Sequence, residues 1–251
     1  MAVTEAKIMA ERNHYLITPR DPVQKAVTEE IERAAARNLL QNYKIRLNGS
    51  YLTTFACVYL EAIIRMLRKI TRDTNVTDTG IDFVGLFRVE SNNRSSEEGD
   101  KDGNINIVFT PGPLVTGIME RDYAPELSPD VVKDEANVLS AVQNLCAQIL
   151  SEKHKTVVDD RRLLTIIAYV YFQYMFRQLK LMAKGAEENG TGSAVSLNFL
   201  EMIEVHCNIE HETNPDNPDL VSTSYVIKIR PGFQSKLLIK NDDVTEFRVG
   251  G

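Results

Sequence analysis

The amino-acid sequence predicts an α+β protein in which a helix–helix–β-hairpin unit occurs twice, giving two pseudo-twofold-related halves packed into one compact body. Three observations predict this. Two long helical segments align without a gap, two strand segments end at Pro-Gly, and the extra residues of the second copy fall in loops. We divide the chain into an N-terminal arm (1–20), a first copy (21–113), a linker (114–127), a second copy (128–233) and a C-terminal strand tail (234–251).

The repeat is clearest in the second helix of each copy. The 18-residue segment LTTFACVYLEAIIRMLRK begins at Leu52, and LTIIAYVYFQYMFRQLKL begins at Leu164, an offset of 112, with seven identical pairs. The segments FVGLFRVE and FLEMIEVH follow at offset 116, and the Pro-Gly pairs follow at offset 120. Insertions that fall only in loops are typical of a duplicated fold. The alternative is two unrelated helical hairpins with convergent apolar spacing.

The first helix of each copy begins at a proline. Pro22 and Pro129 suit the first helical turn because the missing N–H would have no partner inside the helix. Asp21 and Ser128 precede these prolines and are predicted N-caps.

The second helices are predicted from apolar periodicity. In the first copy, apolar residues recur at three- and four-residue steps from Leu52 to Ile70, which indicates an amphipathic helix. In the second copy, the run from Leu163 to Phe176 is apolar nearly all round, so we expect a central helix covered on most sides. Its 14 residues are too few to span a bilayer, so no membrane association is expected.

The strands are predicted from alternation of apolar and polar residues. Phe83 to Glu90 reads as one strand, and Asn104 to Phe109 reads as the next. Pro111 and Pro231 should end their strands because proline cannot donate to the ladder. Asp102-Gly103 is the predicted hairpin turn of the first copy. In the second copy, we expect the segment NIEHETNPDNPDLVS to be a loop.

Composition indicates an intracellular globular protein, cytoplasmic or virion-associated. The net charge is −6 and the pI is about 5.4, which disfavours attraction of the whole surface to nucleic acid or anionic membrane. Cys57, Cys146 and Cys207 are far apart and odd in number, so we expect reduced, buried thiols. Glu5 and Glu11 interrupt the apolar stretch that a secretion signal would need.

No motif predicts catalysis, a cofactor or a metal. His206 and His211 are an odd number of positions apart, so on a strand they point to opposite faces and cannot chelate one ion together. The chain lacks a phosphate-binding loop and a nucleophile elbow. Asp100, Asp102 and Asn104 alternate as in a calcium loop, but Pro111 stands where that loop needs glutamate.

Basic residues recur at the C-terminal end of both second helices. Cations at a helix C-terminus complement its dipole, which explains them without a ligand. The functional alternative is that a pseudo-twofold axis brings both clusters to one face as a groove for a polyanion. The predicted polyanion-binding residues are Arg65, Arg68, Lys69, Arg72, Arg177, Lys180 and Lys184, which Lys153, Lys155 and Arg162 could extend.

Three functions compete. The first is a non-catalytic structural or assembly protein that self-associates or binds protein partners, such as a component of a homo-oligomeric or virus-like, phage-type particle. The second is a nucleic-acid-binding accessory protein that uses the paired basic helix ends. The third is an enzyme with an unrecognised site between the halves, for which the candidate carboxylates are Glu61, Asp159, Asp160 and Glu204.

Overall fold

Two runs of helices followed by strands make up the chain, as seen in a computed structural model that describes residues 8–10, 17–74, 78–94, 104–123, 125–128, 138–214 and 217–240. The helices are α1 (Pro22–Tyr43), α2 (Gly49–Thr74), α3 (Pro113–Arg121), α4 (Val138–His154), α5 (Arg162–Glu188) and α6 (Phe233–Lys240). The strands are β1 (Ile8–Ala10), β2 (Asp78–Phe83), β3 (Phe87–Arg94), β4 (Asn104–Pro111), β5 (Thr156–Val158), β6 (Ala194–Phe199), β7 (Ile203–Asn214) and β8 (Asn217–Pro231).

Six antiparallel strands form one sheet in the order β2-β3-β4-β8-β7-β6. The first three come from one half of the chain and the last three from the other, and the halves meet where Phe109 of β4 lies opposite Ile229 of β8. Strands β1 and β5 form a separate two-stranded pair. Helices cover one face of the large sheet, where Val205 and Cys207 are buried. The predicted α+β class is therefore confirmed.

Helices α2 and α5 lie between the sheet and the outer helices α1 and α4. They run antiparallel, because the side chains of Thr53 and Tyr59 on α2 bond to those of Tyr171 and Thr165 on α5 in reverse order. Helix α5 is buried along most of its length, which confirms its expected central position. By length and composition Gly49–Asp73 could cross a membrane, but 78% of its most apolar window is buried, as in a core helix.

The tyrosine–threonine contacts between these helices are reciprocal. The hydroxyls of Tyr59 and Thr165 are 2.7 Å apart, and those of Tyr171 and Thr53 are 3.1 Å apart. Tyr171 follows Tyr59 by 112 residues, and Thr165 follows Thr53 by the same number. Reciprocal contact of this kind is what a twofold arrangement produces.

Each half also contains the same backbone approach at its Pro-Gly pair. The N–H of Gly112 donates to the carbonyl of Leu86 at 2.7 Å, and the N–H of Gly232 donates to that of Met202 at 2.9 Å. A Cβ at Gly232 would lie 1.9 Å from the carbonyl oxygen of Glu201, so only glycine fits. The two Pro-Gly pairs thus end a strand, as predicted, and also pack the chain against the preceding turn.

The segments predicted as single strands contain a tight turn. β2 ends at Phe83 and β3 begins at Phe87, while β6 ends at Phe199 and β7 begins at Ile203. The two central residues of each turn have positive φ, at 44° and 76° for Val84 and Gly85 and 49° and 57° for Leu200 and Glu201. These values belong to the tight turns that join twisted antiparallel strands. The prediction of one continuous strand was wrong, because the alternation of apolar and polar residues continues across the turn.

Two helices occupy segments predicted otherwise. Helix α3 begins at Pro113, the last residue of the predicted first copy, continues into the predicted linker, and buries Val115, Ile118 and Met119 at helical spacing. Residues 234–251 were predicted to add strands, but Phe233–Lys240 forms α6, and residues 241–251 lie outside the described part. Both helices begin directly after the close approach of a Pro-Gly pair, which turns the chain away from the sheet.

Other predictions have mixed outcomes. The Asp21 N-cap is confirmed, since its carboxylate accepts the N–H of Gln24 at 2.8 Å. The predicted loop NIEHETNPDNPDLVS is instead mostly strand, because β7 reaches Asn214 and β8 begins at Asn217. The cap assigned to Ser128, the turn at Asp102-Gly103 and the calcium-like aspartates all depend on residues outside the described ranges.

Candidate functional site

The two basic helix ends lie at opposite ends of the α2–α5 pair. The hydrogen bonds place Thr53 of α2 opposite Tyr171 of α5, and the two helices run antiparallel. By the same register, Arg65 lies opposite residue 159, three residues before α5 begins. At 1.5 Å of rise per residue, Arg65 and Arg177 are separated by about 27 Å of helical rise. The two predicted clusters are therefore well separated along the helix axes.

At the end of α2, two of the four predicted basic residues are engaged inside the protein. The guanidinium of Arg65 donates to the Glu61 carboxylate at 2.8 Å. Arg68 is buried and donates to the carbonyl of Leu238 on α6 at 3.4 Å. Lys69 and Arg72 are exposed.

The end of α5 repeats this arrangement. Lys180 is buried and donates to the carbonyl of Ile118 on α3 at 3.4 Å, the counterpart of the Arg68 contact. Its ammonium also lies 2.8 Å from the Asp122 carboxylate, and this hydrogen bond lowers the pKa of that carboxyl. Arg177 donates to the carbonyl of Asp122 at 3.1 Å and stacks over Tyr174. Lys184 is exposed, so Lys69, Arg72 and Lys184 are the predicted cations most accessible to a polyanion.

The four carboxylates named for an enzyme do not converge. Glu61 is fully buried and accepts from Arg65 and from Lys153, the latter at 3.1 Å. Glu204 lies on the opposite face of the sheet, away from the described helices, and its carboxylate is 3.5 Å from Nε2 of His206.

Asp160 and Asp159 precede α5. Asp160 forms a two-point ion pair with Arg162, whose hydrogen bond lowers the pKa of that carboxyl. Asp159 is exposed. Neither shares a site with Glu204 on the other side of the sheet.

The cysteines are free and buried, as predicted. Burial raises the pKa of Cys57 and Cys146 well above that of an ordinary thiol, and it raises the pKa of Cys207 to about 11. Because the thiolate is the reactive form, these environments disfavour nucleophilic chemistry.

Two of the four histidines, His206 and His211, also lie apart. His206 and His211 occupy one uninterrupted stretch of the β7–β8 ladder, so they point to opposite faces. His211 lies between the Glu187 carboxylate, 2.5 Å from Nε2, and the Thr223 hydroxyl, 3.2 Å from Nδ1. Within the ranges that the structure describes, no group of three or more His, Cys, Asp or Glu residues could hold a metal ion.

The β7–β8 hairpin extends beyond its neighbours in the sheet. β6 pairs with β7 only as far as Asn208, and β4 meets β8 at Ile229. We name residues 210–214 and 217–224 the free hairpin segment, because no other described strand pairs with its outer edges. Its backbone donors and acceptors along both edges therefore resemble those of an unprotected sheet edge.

This segment also carries exposed apolar side chains. Leu220 is 58% exposed and Val221 is 53% exposed. Successive strand residues point to opposite faces, so the segment presents an apolar side chain on each face. The described residues 210–214 are all exposed, and His211 links the segment to the end of α5.

A groove of about 660 Å³ lies where α4 packs near the end of α2 and β5. We name it the α4 groove. Its walls include the apolar side chains of Met66, Ala141, Leu145 and Val157, and its charged lining residues are Lys69 and Arg161. No carboxylate is among the described residues that line it.

Comparison with known proteins gives no relative. No protein-family model, curated protein or solved structure matches the chain. The function must therefore be argued from these surfaces alone.

Proposed function

We propose that the chain is an internal duplication of one unit that consists of two helices, three strands and a short final helix. Support comes from matching contacts at the offsets read from the sequence. The offset is 112 for the tyrosine–threonine bonds and for Arg68 and Lys180, and 120 for their acceptors Ile118 and Leu238. The turns correspond at offset 116, where Asp82 and Asn198 each accept from a turn N–H.

We propose that the protein is a non-catalytic assembly protein, a subunit of a homo-oligomeric or virus-like particle. The observation that carries this proposal is the free hairpin segment, whose outer edges no described strand pairs with and whose Leu220 and Val221 are exposed. An isolated two-stranded hairpin is marginally stable in water, and unpaired edges are templates for strand addition. A partner surface would cover both features.

The alternative functions gain less support. A polyanion would meet two separated groups of cations, and Arg68 and Lys180 are buried against carbonyl groups. An enzyme would need convergent reactive groups, whereas Glu61 and Glu204 are on different sides of the sheet and the thiols are buried.

The proposal predicts self-association of the purified chain. Native mass spectrometry and light scattering across a range of protein concentrations should detect oligomers or larger assemblies that dissociate on dilution. A strict monomer at micromolar concentration would contradict the proposal.

The polyanion alternative has a separate test on the same sample. Fluorescence anisotropy with single-stranded and double-stranded nucleic acid at low salt should give no binding, or binding unaffected by charge reversal of Lys69, Arg72 and Lys184. Tight, salt-dependent binding that these substitutions abolish would favour the alternative instead.

A further inference from the structure

We propose that the free hairpin segment of one copy of this chain docks in the α4 groove of a second copy. The inference rests on the proposed assembly function and assigns the two surfaces that carry it. It describes a head-to-tail contact, in which each copy uses one surface to bind and offers the other.

The two surfaces match in shape and polarity. Leu220 and Val221 point to opposite faces of the segment, so a flat surface would cover only one of them. The walls of the α4 groove carry apolar side chains from three elements, namely Ala141 and Leu145 from α4, Met66 from α2 and Val157 from β5. A hairpin inserted between these walls would bury both side chains.

Their charges are also complementary. The sequence from 210 to 224 contains Glu210, Glu212, Asp216 and Asp219 and neither lysine nor arginine. The groove is lined by Lys69 and Arg161 and, among its described residues, by no carboxylate. Complementary charge favours this encounter and disfavours docking of one hairpin on another.

The backbone offers a further match. Strand β5 pairs only with β1 among the described strands, and its residues Val157 and Val158 line the groove. An edge of the free hairpin segment can add there by main-chain hydrogen bonds, the usual mode of strand addition.

The contact must form between two copies because, in one molecule, the two surfaces lie near opposite ends of the α2–α5 pair. The hairpin segment bonds to Glu187 near the C-terminus of α5, whereas Lys69 is near the C-terminus of the antiparallel α2. The tyrosine–threonine register separates these two residues by about 48 Å of helical rise. A heterologous contact of this kind closes into a ring or continues as a filament.

The test uses two defective full-length variants. The hairpin variant carries Leu220→Asp and Val221→Asp, and the groove variant carries Lys69→Glu and Arg161→Glu. All four side chains are exposed, so each variant should fold. Circular dichroism and thermal unfolding check this. Leu40→Asp, at an exposed apolar residue of α1, is the matched control and should assemble like the wild type.

Each variant alone should associate about tenfold or more weakly than the wild type, because burial of a charge at an apolar anchor and like-charge contact both oppose docking. Mixed in equal amounts, they should form a heterodimer that does not grow. In that pair, the groove variant supplies the intact hairpin and the hairpin variant supplies the intact groove. Light scattering and native mass spectrometry measure both outcomes.

The failures are distinguishable. A wild-type chain that is strictly monomeric overturns both the docking and the proposed function. Assembly that survives in both variants overturns the docking alone, since another surface must then hold the copies together. Assembly lost only in the hairpin variant, with no heterodimer in the mixture, also overturns the docking, because the hairpin then binds elsewhere.

Discussion

At the scale of single residues, the two halves differ inside an otherwise matched hydrogen-bond cluster. The Thr53 hydroxyl donates to the Glu32 carboxylate at 2.6 Å, while the amide of Gln143 donates to the Thr165 hydroxyl at 2.9 Å. One half therefore holds a titratable group where the other holds a neutral one. Burial raises the pKa of the Glu32 carboxyl, and the hydrogen bond from Thr53 opposes that rise in pKa.

This difference predicts a pH dependence of stability. The folded state binds the Glu32 proton more tightly than the unfolded chain does, so the free energy of unfolding falls as pH rises from about 4.3 through the folded-state pKa. Glu32→Gln removes that fall and keeps an oxygen for Thr53 to bond. Its stability relative to the wild type should rise from about pH 4 to about pH 7.

Urea denaturation of both proteins at a series of pH values measures this. The reciprocal variant, Gln143→Glu, places a titratable carboxyl at the buried position beside Thr165. Its free energy of unfolding should therefore also fall as pH rises. A constant difference between Glu32→Gln and the wild type at all pH values would contradict the assignment.

The close backbone approach at Gly232 predicts a large loss of stability. In Gly232→Ala, the new Cβ would lie 1.9 Å from the Glu201 carbonyl oxygen, so the backbone must move. We expect a cost of about 1–3 kcal/mol or more, as for overpacked sites. The measurement is the shift in denaturation midpoint.

Gly185→Ala is the control for that measurement. Gly185 lies within α5, and apart from the adjacent backbone of that helix an added Cβ would meet no described atom within 4 Å. Alanine there should stabilise the helix by about 0.5–1 kcal/mol. Equal effects of the two substitutions would rule out the packing role assigned to Gly232.

At the scale of elements, the β7–β8 hairpin should divide into two parts. In β7, residues 203–208 pair with β6, Ile209 donates to the carbonyl of Ser193 just before β6, and β8 pairs on the other side. In the free hairpin segment, the internal ladder between β7 and β8 is the only strand pairing among the described residues. Amide hydrogens of residues 210–214 and 217–224 should therefore exchange much faster than those of 203–209 in the monomer. Hydrogen-exchange mass spectrometry resolves the two parts.

Assembly should slow exchange in the free segment. The same experiment on concentrated protein supplies the comparison, and Leu40→Asp supplies the control. Uniform protection along the whole hairpin in the monomer would mean that the segment is already covered, which contradicts its assignment as a free surface.

The elements that the sequence predicted are those in which regular apolar spacing continues over many residues. Helices α1, α2 and α5 follow from proline starts and apolar spacing, and the strand ends at Pro111 and Pro231 follow from the lost donor. The turn at Leu200-Glu201 could not be predicted, because neither residue favours positive φ and tertiary packing imposes it. Helix α6 is eight residues long, so its stability depends on packing against α2.

The candidate site was less predictable than the fold. Arg72 lies in the last turn of α2, but the last turn of α5 holds no basic residue because that helix continues to Glu188. The separation of the two clusters depends on the antiparallel packing of α2 and α5, which no local pattern encodes. The exposed hairpin was missed because its prolines and acidic residues read as a loop. The one available signal was the alternation around Val221, Thr223 and Tyr225, which continues the pattern of β8.

At the scale of the whole molecule, the two halves share one core. The ring of Phe172 on α5 packs against three other phenylalanine rings. The distances between ring centroids are 5.9 Å to Phe83, 5.3 Å to Phe87 and 5.5 Å to Phe199. The first two rings belong to the first half and the third to the second half. Unfolding one half would therefore expose the core of the other, and we expect a single cooperative transition.

Phe172→Ala tests that expectation. The substitution should destabilise the protein by about 3–5 kcal/mol, as for buried phenylalanines elsewhere. Fluorescence and circular dichroism should give coincident urea transitions before and after the change. Two separate transitions, with only one shifted, would mean that the halves unfold independently.

The reciprocal tyrosine–threonine bonds have a consequence for the covalent chain itself. Because each half contributes a tyrosine to the threonine of the other, the proposed duplication would make the contact between α2 and α5 equivalent to a symmetric dimer interface within a single polypeptide. The connection between the halves then serves mainly to raise the effective concentration of one half near the other. Two separately produced fragments, cut between Ser128 and Val138, would be expected to find each other and restore the fold.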